Sequence, residues 1–512
     1  MSGVHTIGRW LSDRARNTPS RVAIDFADER TTYGKLAQRS ARMAVALTAR
    51  GVVRGDRIAT LTANSPDHVA LLFACARLGA ALQPLNWRLA PAEIRYQLDD
   101  AESALLAVSD EYADLAAEAG GPIPRSSFPE LDADGVPPET EVRDDDSLLL
   151  SYTSGTTGKP KGAVLTHANC FWANLCFDRT SAIADDDVVL QVLPQFHSGG
   201  WNVQPLLAWW KGATVVLEPS FEPDRALRLI EEKRITTMMG VPATYLFIAE
   251  QPAFAETDLS SLRLAVVGGA PMPESLLQRW HDRGIGIVQG YGLTEAAPNV
   301  LCLPPEDAAR KLGSSGKPYP HVDVALRDPE TGSLLDGPGT GELVVKGPNV
   351  FAGYWRNPEA TAAAFADGWL LTGDLAERDD EGYYRIAGRL KDLVISGGEN
   401  IYPAEIEDVL HGHPAVAEAA VVGVPDKRWG EVCLAFVGLR AGAEASEEEL
   451  LEWCRARLAR FKVPTSVRGL VDVNLGGIDP FTVSEVGLWR SRLSPKGARY
   501  ERLGGAPLRG RP

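Results

Sequence analysis

Tyr152-Thr-Ser-Gly-Thr-Thr-Gly-Lys-Pro-Lys-Gly162 is the stretch on which the reading of this chain turns. It continues from Ser147 to Tyr152, an apolar run with the length of a buried strand. Glycine lets main-chain N–H groups approach phosphate oxygens. Ser154, Thr156 and Thr157 add hydroxyl donors, and Lys159 and Lys161 add charge. The spacing does not fit GxxxxGK[ST], so this is not a Walker A loop. A flexible surface turn is the alternative for any short glycine-rich stretch, but this density of donors directly behind a strand favours a phosphate cradle.

Upstream, helical patterns alternate with short apolar runs. Tyr33 to Arg50 and Pro66 to Leu78 read as helices, Arg57 to Leu61 and Ala80 to Leu85 as strands. Such alternation predicts a parallel sheet. The Pro/Gly/acid-rich stretch from Ala119 to Asp146 reads as a surface connection. Downstream, Asp187 to Leu193, Thr214 to Leu217 and Leu264 to Val267 read as strands that lead into loops of Gly, Pro or Ser, where open α/β sheets bind ligands. From about Val322 shorter strands, among them Trp369 to Thr372 just ahead of Asp374, with turns at Asp328 to Gly332 and Asp379 to Gly382 suggest a small β-rich subdomain. Near Arg389 a third style begins: helices Pro403 to Leu410 and Ser446 to Leu458 flank strands Ala417 to Val424 and Cys433 to Gly438. The expected fold is α/β, with a large N-terminal domain of doubly wound sheets over residues 1–388 that includes the β-rich subdomain. A hinge at 389–393 and a small mobile α+β domain at 394–512 complete it, with an atypical tail after about 470.

Composition sets the outer bounds. The 512 residues, 45% hydrophobic and 23% charged, are globular in balance and long enough for several cores. A net charge of −16 repels a phosphate backbone, so nucleic acid is not an expected partner. The six cysteines show neither CxxC nor Cys/His metal spacing, which fits a reducing cytosol and predicts a cytoplasmic protein. No apolar run of about 18 residues predicts a transmembrane segment.

Several further motifs, in order, make the chain resemble the adenylate-forming superfamily of acyl-CoA synthetases, firefly luciferase and peptide-synthetase adenylation domains. They are Pro194-Gln-Phe-His197, Gly268-Gly-Ala-Pro271, Gln289-Gly-Tyr-Gly-Leu-Thr-Glu295, Thr372-Gly-Asp374, Gly388-Arg389 and Gly397-Gly-Glu-Asn-Ile-Tyr-Pro-Ala-Glu-Ile-Glu407. The resemblance implies two half-reactions: a carboxylate attacks the α-phosphate of ATP to give acyl-adenylate and pyrophosphate, then a thiol displaces AMP. It also implies that the C-terminal domain rotates between them.

Carried onto this chain, the resemblance assigns the nucleotide to Thr153, Ser154, Gly155, Thr156, Thr157, Gly158 and Lys161. Gly269, Ala270, Pro271, Gln289, Gly290, Tyr291 and Gly292 would form the adenine and adenylate walls, with Asp374 and Arg389 at the ribose. His197, Thr294 and Glu295 are the expected catalytic groups, Glu295 holding Mg2+ against the phosphates. Lys391 falls at the hinge, and Gly397, Gly398 and Trp429 at the CoA face, although core packing accounts for Trp429 equally well. A surface acid, an Asp in a β-turn, an interdomain salt bridge and a loop histidine are the plain alternatives for Glu295, Asp374, Arg389 and His197. ATP and CoA are the expected co-substrates and a carboxylic acid the third partner, with a homodimer as a candidate assembly.

Between Phe196 and Trp210 there is no Asp, Glu, Lys or Arg, and Gly290 to Leu303 contains only Glu295. An ammonium would need a carboxylate there and a second carboxylate a basic partner. An uncharged fatty, alicyclic or aromatic acid is therefore expected, with Gly268 and Trp201 lining its pocket, or Trp201, Trp209 and Trp210 all belonging to the core. Luciferase-like oxidation and a non-catalytic nucleotide-binding role use the same motifs. One departure stands out. Acyl-CoA synthetases resembling this chain carry a Pro-x-x-x-x-Gly-Lys segment soon after a stretch like Arg460-Phe-Lys-Val-Pro464, and its lysine serves adenylation. The interval VDVNLGGIDPFTVSEVG over 471–487 has no lysine. Lys496 is the remaining candidate, in a tail of six Arg and one Lys against two Glu from Glu485 onward. A shifted frame, a remodelled end and a displaced loop all fit that tail, and a thioester-forming half-enzyme fed with acyl-AMP is the functional alternative.

Overall fold

The computed structural model describes residues 3–153, 159–396, 399–426, 429–440, 442–469, 485–494 and 497–507, the last two as backbone only. Local signals set the element ends. Ser65 caps the Pro66–Leu78 helix by accepting the His68 N–H, Pro66 takes the first helical position, and Gly79 closes the helix at φ +69°. Thr32 caps Tyr33–Ala49 in the same way, and Thr166 and Asn169 form a reciprocal capping box before His167–Ser181. The Pro66–Leu78 helix is apolar on nearly every side, and ten of its residues are buried. It is therefore enclosed by other elements rather than laid on the surface.

Among the described residues a nine-stranded sheet runs in the order Lys317–Pro318, Leu301–Cys302, Ile287–Tyr291, Leu264–Val267, Thr237–Gly240, Val188–Gln191, Thr214–Leu217, Val22–Phe26, Glu29–Thr32. Its centre is parallel, and antiparallel strands close both edges. A seven-stranded sheet runs Gly353–Tyr354, Lys161–Thr166, Ser147–Thr153, Ala81–Pro84, Arg57–Leu61, Leu105–Val108, Arg125–Ser127. The parallel sheets expected from the alternating pattern are present, and one large hydrophobic core spans residues of both.

The β-rich subdomain is a six-stranded antiparallel sheet built on Gly339–Lys346 and Trp369–Arg378. Here the sequence reading is corrected. The strand read as ending at Thr372 is continuous from Trp369 to Arg378, so Asp374 lies within it and the β-turn alternative falls. A bulge at Gly373, φ +68°, interrupts the ladder without ending it. The C-terminal unit packs helices Pro403–His411 and Glu447–Arg455 on a five-stranded sheet around its own core. In the tail, Glu485–Ser494 and Gly497–Pro507 pair as an antiparallel hairpin. Among the described residues no helix is long and apolar enough to cross a membrane.

Candidate active site

The glycine-rich stretch joins two antiparallel strands, Ser147–Thr153 and Lys161–Thr166, with Thr153 opposite Lys161. It is a hairpin connection, so no helix follows it to lend a dipole to an anion. Positive charge there comes from side chains. Lys161 Nζ lies 5.2 Å from the centre of the Tyr354 ring, and Lys159 Nζ 5.4 Å from that of Tyr96. Ser154, Gly155, Thr156, Thr157 and Gly158 lie outside the described residues.

Glu295 sits in the short Thr294–Ala296 turn beyond the Ile287–Tyr291 strand. Gly292 makes that approach possible, because a Cβ there would fall 1.3 Å from the Pro298 carbonyl oxygen. One segment grips the turn from outside. Tyr354 donates its hydroxyl to Glu295 Oε1 at 2.8 Å, and the Phe351 N–H donates to the Glu295 carbonyl at 2.8 Å. Asn349 Nδ2 reaches the carbonyls of Ala296 and Asn299 at 2.9 and 2.8 Å. Sequence reasoning missed Tyr354 and Asn349, since no local spacing connects them to Glu295. A hydrogen bond of 3.4 Å between Ser198 and Thr294 ties the turn to the His197 loop.

Asp374 and Arg389 face each other across paired strands, with Arg389 Nε 2.8 Å from Asp374 Oδ1. The Tyr291 hydroxyl donates to Oδ2 at 2.5 Å. Asp374 is buried, and desolvation raises its pKa above the ordinary carboxylate value. Tyr291 and Arg389 pull it back, and the negative charges of Glu295 and Glu342 push it up further. Burial and the neighbouring Asp374 hold the Tyr291 phenol well above its usual value, so Tyr291 stays a donor. The expected nucleotide group of Glu295, Tyr291, Asp374 and Arg389 is thus one neighbourhood.

His197 projects from the loop before the Gly199–Asn202 helix, its ring 4.6 Å from Phe196, which meets Trp87 edge-to-face at 6.0 Å. Arg88 lies across Trp87 and Phe196, 4.8 and 5.6 Å from their ring centres. His197 is open to solvent on one side, yet surrounding protein desolvates it, and with the Arg88 charge lowers its pKa. Both effects favour the neutral imidazole.

One expectation is corrected. Trp201 does not line an open pocket: it is fully buried, donates its indole N–H to the Gln195 carbonyl at 2.6 Å and meets His68 edge-to-face. It supports the His197 loop from beneath, because a buried indole needs an acceptor and this loop supplies one. Gln289, expected in the adenine and adenylate wall, accepts the Met272 N–H and donates to the Ser314 carbonyl, both at 3.2 Å. Gly269, Ala270 and Pro271 are exposed beside it, Gly269 at φ +82°. Gly268 and Gly290 are neighbours, a Cβ on Gly268 falling 3.4 Å from the Gly290 carbonyl oxygen.

In the C-terminal unit, Lys391 is exposed in the short Leu390–Asp392 turn that follows the Tyr384–Arg389 strand. Trp429 is 49% exposed, which argues against core packing, and its backbone N–H donates to Asp426 Oδ1 at 2.9 Å. Gly397, Gly398 and Lys496 lie outside the described residues. Among the described residues no three His, Cys, Asp or Glu side chains converge as a metal cage. A single carboxylate such as Glu295 fits Mg2+, which takes most of its oxygen ligands from nucleotide phosphate and water.

Comparison with known proteins gives the family of the chain. The AMP-binding enzyme family matches residues 11–355, and the AMP-binding enzyme C-terminal domain matches residues 405–475. A feruloyl-CoA synthase from Amycolatopsis is 46% identical over 463 residues, covering 90% of this chain and 94% of that protein. An indoleacetate–CoA ligase from Aromatoleum aromaticum is 41% identical, covering 90% and 93%. The solved o-succinylbenzoate CoA synthetase of Bacillus subtilis, in complex with ATP and magnesium ion, superposes with a TM-score of 0.83 at 35% identity, covering 91% of this chain and 96% of that one. The chain belongs to the AMP-binding enzymes, as an adenylate-forming acyl-CoA synthetase. It is an AMP-forming acid–thiol ligase that activates an apolar carboxylic acid through its acyl-adenylate.

Proposed function

We propose that the acid is aromatic and that CoA is the thiol. The observation that carries this is the aromatic wall of Trp87, Phe196 and His197 at the gate, bounded by a stretch from Phe196 to Trp210 without a charged residue. A flat, rigid acid offers such a wall more contact at less entropy cost than a flexible chain. Support comes from two relatives named for aromatic acids, feruloyl-CoA and indoleacetate. The test is purified protein with ATP, Mg2+, CoA and a panel of acids, following AMP and acyl-CoA. Aryl and arylalkyl acids should exceed long-chain fatty acids by about tenfold or more in kcat/KM, the scale on which apolar pockets discriminate. Equal rates for fatty acids would overturn the aromatic assignment, and ADP with phosphate as products would overturn the reaction.

In this reading Glu295 would hold Mg2+, which would supply positive charge beside the ATP phosphates. Lys161 and the Ser154–Gly158 donors hold the phosphates, Asp374 and Arg389 the ribose, and His197 hydrogen-bonds the acid at the gate. Little covalent work falls to the protein, so positioning and fixed charge dominate. Lys391 marks the hinge between residues 1–388 and 394–512, and Gly397, Gly398 and Trp429 face CoA. Six free cysteines fit a reducing, cytoplasmic setting.

The lysine-free interval over 471–487 favours a second statement about rate. Acid and ATP bring negative charge to negative charge, and a missing cation weakens that half-reaction alone. Adenylation should therefore be the slower half by about tenfold, with thioesterification of supplied acyl-AMP brisk. Pyrophosphate release and acyl-CoA formation, measured separately in wild type and Lys496→Ala, decide it. Fast adenylation unchanged by the substitution would overturn the rate assignment. The same pair of measurements on Lys391→Pro should show unequal losses if the turn is a hinge.

A further inference from the structure

Glu342 lies in the Gly339–Lys346 strand, beside the strand that carries Asp374, and is only 4% exposed. Its neighbours Leu343, Val344 and Val345 are buried apolar residues, as a sheet core wants. A carboxylate there is costly to desolvate and calls for a compensating task. Its two oxygens show one. Oε1 accepts the Gly373 N–H at 3.2 Å, and Oε2 faces the Arg327 guanidinium at 3.2 Å.

Gly373 is the bulge that puts the ladder out of register between Glu342 and Val344, and its φ of +68° is one that other residues rarely adopt. A bulged residue loses its regular place in the ladder, and here a side-chain carboxylate supplies its N–H with an acceptor. The flanks are stapled as well. Thr372 donates its hydroxyl to the Leu343 carbonyl at 2.6 Å and accepts the Asp374 N–H at 3.0 Å. With both flanks held, Asp374 has one direction to take, toward Tyr291 and Arg389.

We propose that Glu342 is a positioning residue for the nucleotide: by holding the Gly373 N–H it fixes the bulge that aims Asp374 at the ribose, with Arg327 as its counter-charge. This rests on Asp374 as the ribose acceptor. Glu342→Ala leaves that N–H and Arg327 without their partner, and the KM for ATP and the Kd for AMP should both rise about tenfold. The KM for the acid should move by less than about twofold, since the gate is built from other segments. Glu342→Gln keeps an acceptor oxygen of the same reach and should restore most of the AMP affinity.

Calorimetric AMP titration, ATP and acid KM values, and melting temperature separate positioning from mere stability. A lower melting temperature with unchanged AMP affinity would overturn the proposal, as would a Gln variant as poor as Ala. Gly373→Ala, which strains the same bulge without touching Glu342, should weaken AMP binding in parallel and covers the case in which Glu342→Ala does not fold. Unchanged AMP affinity in Asp374→Asn would fail the ribose reading itself. A strong Asp374→Asn effect with silent Glu342 variants would fail this proposal alone.

Discussion

Glu295→Gln should lower kcat/KM of the adenylation half-reaction by about one to two decades while leaving thioesterification of supplied acyl-AMP close to wild type. The amide matches the carboxylate in size and can still accept the Tyr354 hydroxyl, so the turn gripped by Asn349, Phe351 and Tyr354 keeps its shape. What is lost is the anionic oxygen for Mg2+, and charge-assisted contacts in a dry site are worth roughly 1.5–3 kcal/mol. The loss should also appear without turnover. Wild type should bind ATP more tightly with Mg2+ than with a chelator, and in the variant that difference should shrink. Equal sensitivity of both half-reactions would mean that the substitution disturbs the fold, and wild-type adenylation would remove Glu295 from the site.

The parts of the molecule legible in the sequence are those written in neighbouring residues. Pro66–Leu78 carries its cap, its proline and its closing glycine within a few positions, and its ends were expected where they lie. Thr214–Leu217 and Leu264–Val267 are short β-branched runs between breakers and were equally plain. The Thr372–Asp374 stretch was misread as a strand end because glycine before an acid usually signals a turn. A bulge uses the same residues, and what distinguishes the two is the partner strand, which is distant in sequence. Trp201 failed for a related reason: a tryptophan in an uncharged stretch can face a pocket or the core, and its full burial against Gln195 and His68 is tertiary information. Tyr354, Asn349 and Glu342 act through single contacts across strands, which carry no periodic signature. The carboxylates expected at the site stand in local motifs, whereas the residues that touch them from other strands do not.

Asp374→Asn should raise the KM for ATP by about one to two decades and flatten its dependence on pH. The substitution keeps the side chain's size but removes the charge that pairs with Arg389 at 2.8 Å and accepts from Tyr291 at 2.5 Å. A carboxylate has about four lone-pair positions, so ribose hydroxyls can join these two donors without displacing them. Only the ionised form offers all of them, and burial holds the pKa of Asp374 above that of an ordinary aspartate. In wild type the KM for ATP should therefore begin to climb, as pH falls, before ordinary carboxylates protonate. The Asn variant should show a high KM without that limb. The sign for stability is opposite. A carboxyl that holds its proton more tightly folded than unfolded favours the folded state below its raised pKa, and that contribution is lost as pH rises through it. Above that pKa the ionised Asp374 thus costs the fold stability while offering a nucleotide an acceptor. Asp374→Asn should accordingly melt no lower than wild type at neutral pH, provided Arg389 finds solvent, and most clearly so in the absence of nucleotide. A variant that lost both stability and ATP affinity at neutral pH would show that the carboxylate serves the fold first and the ribose second.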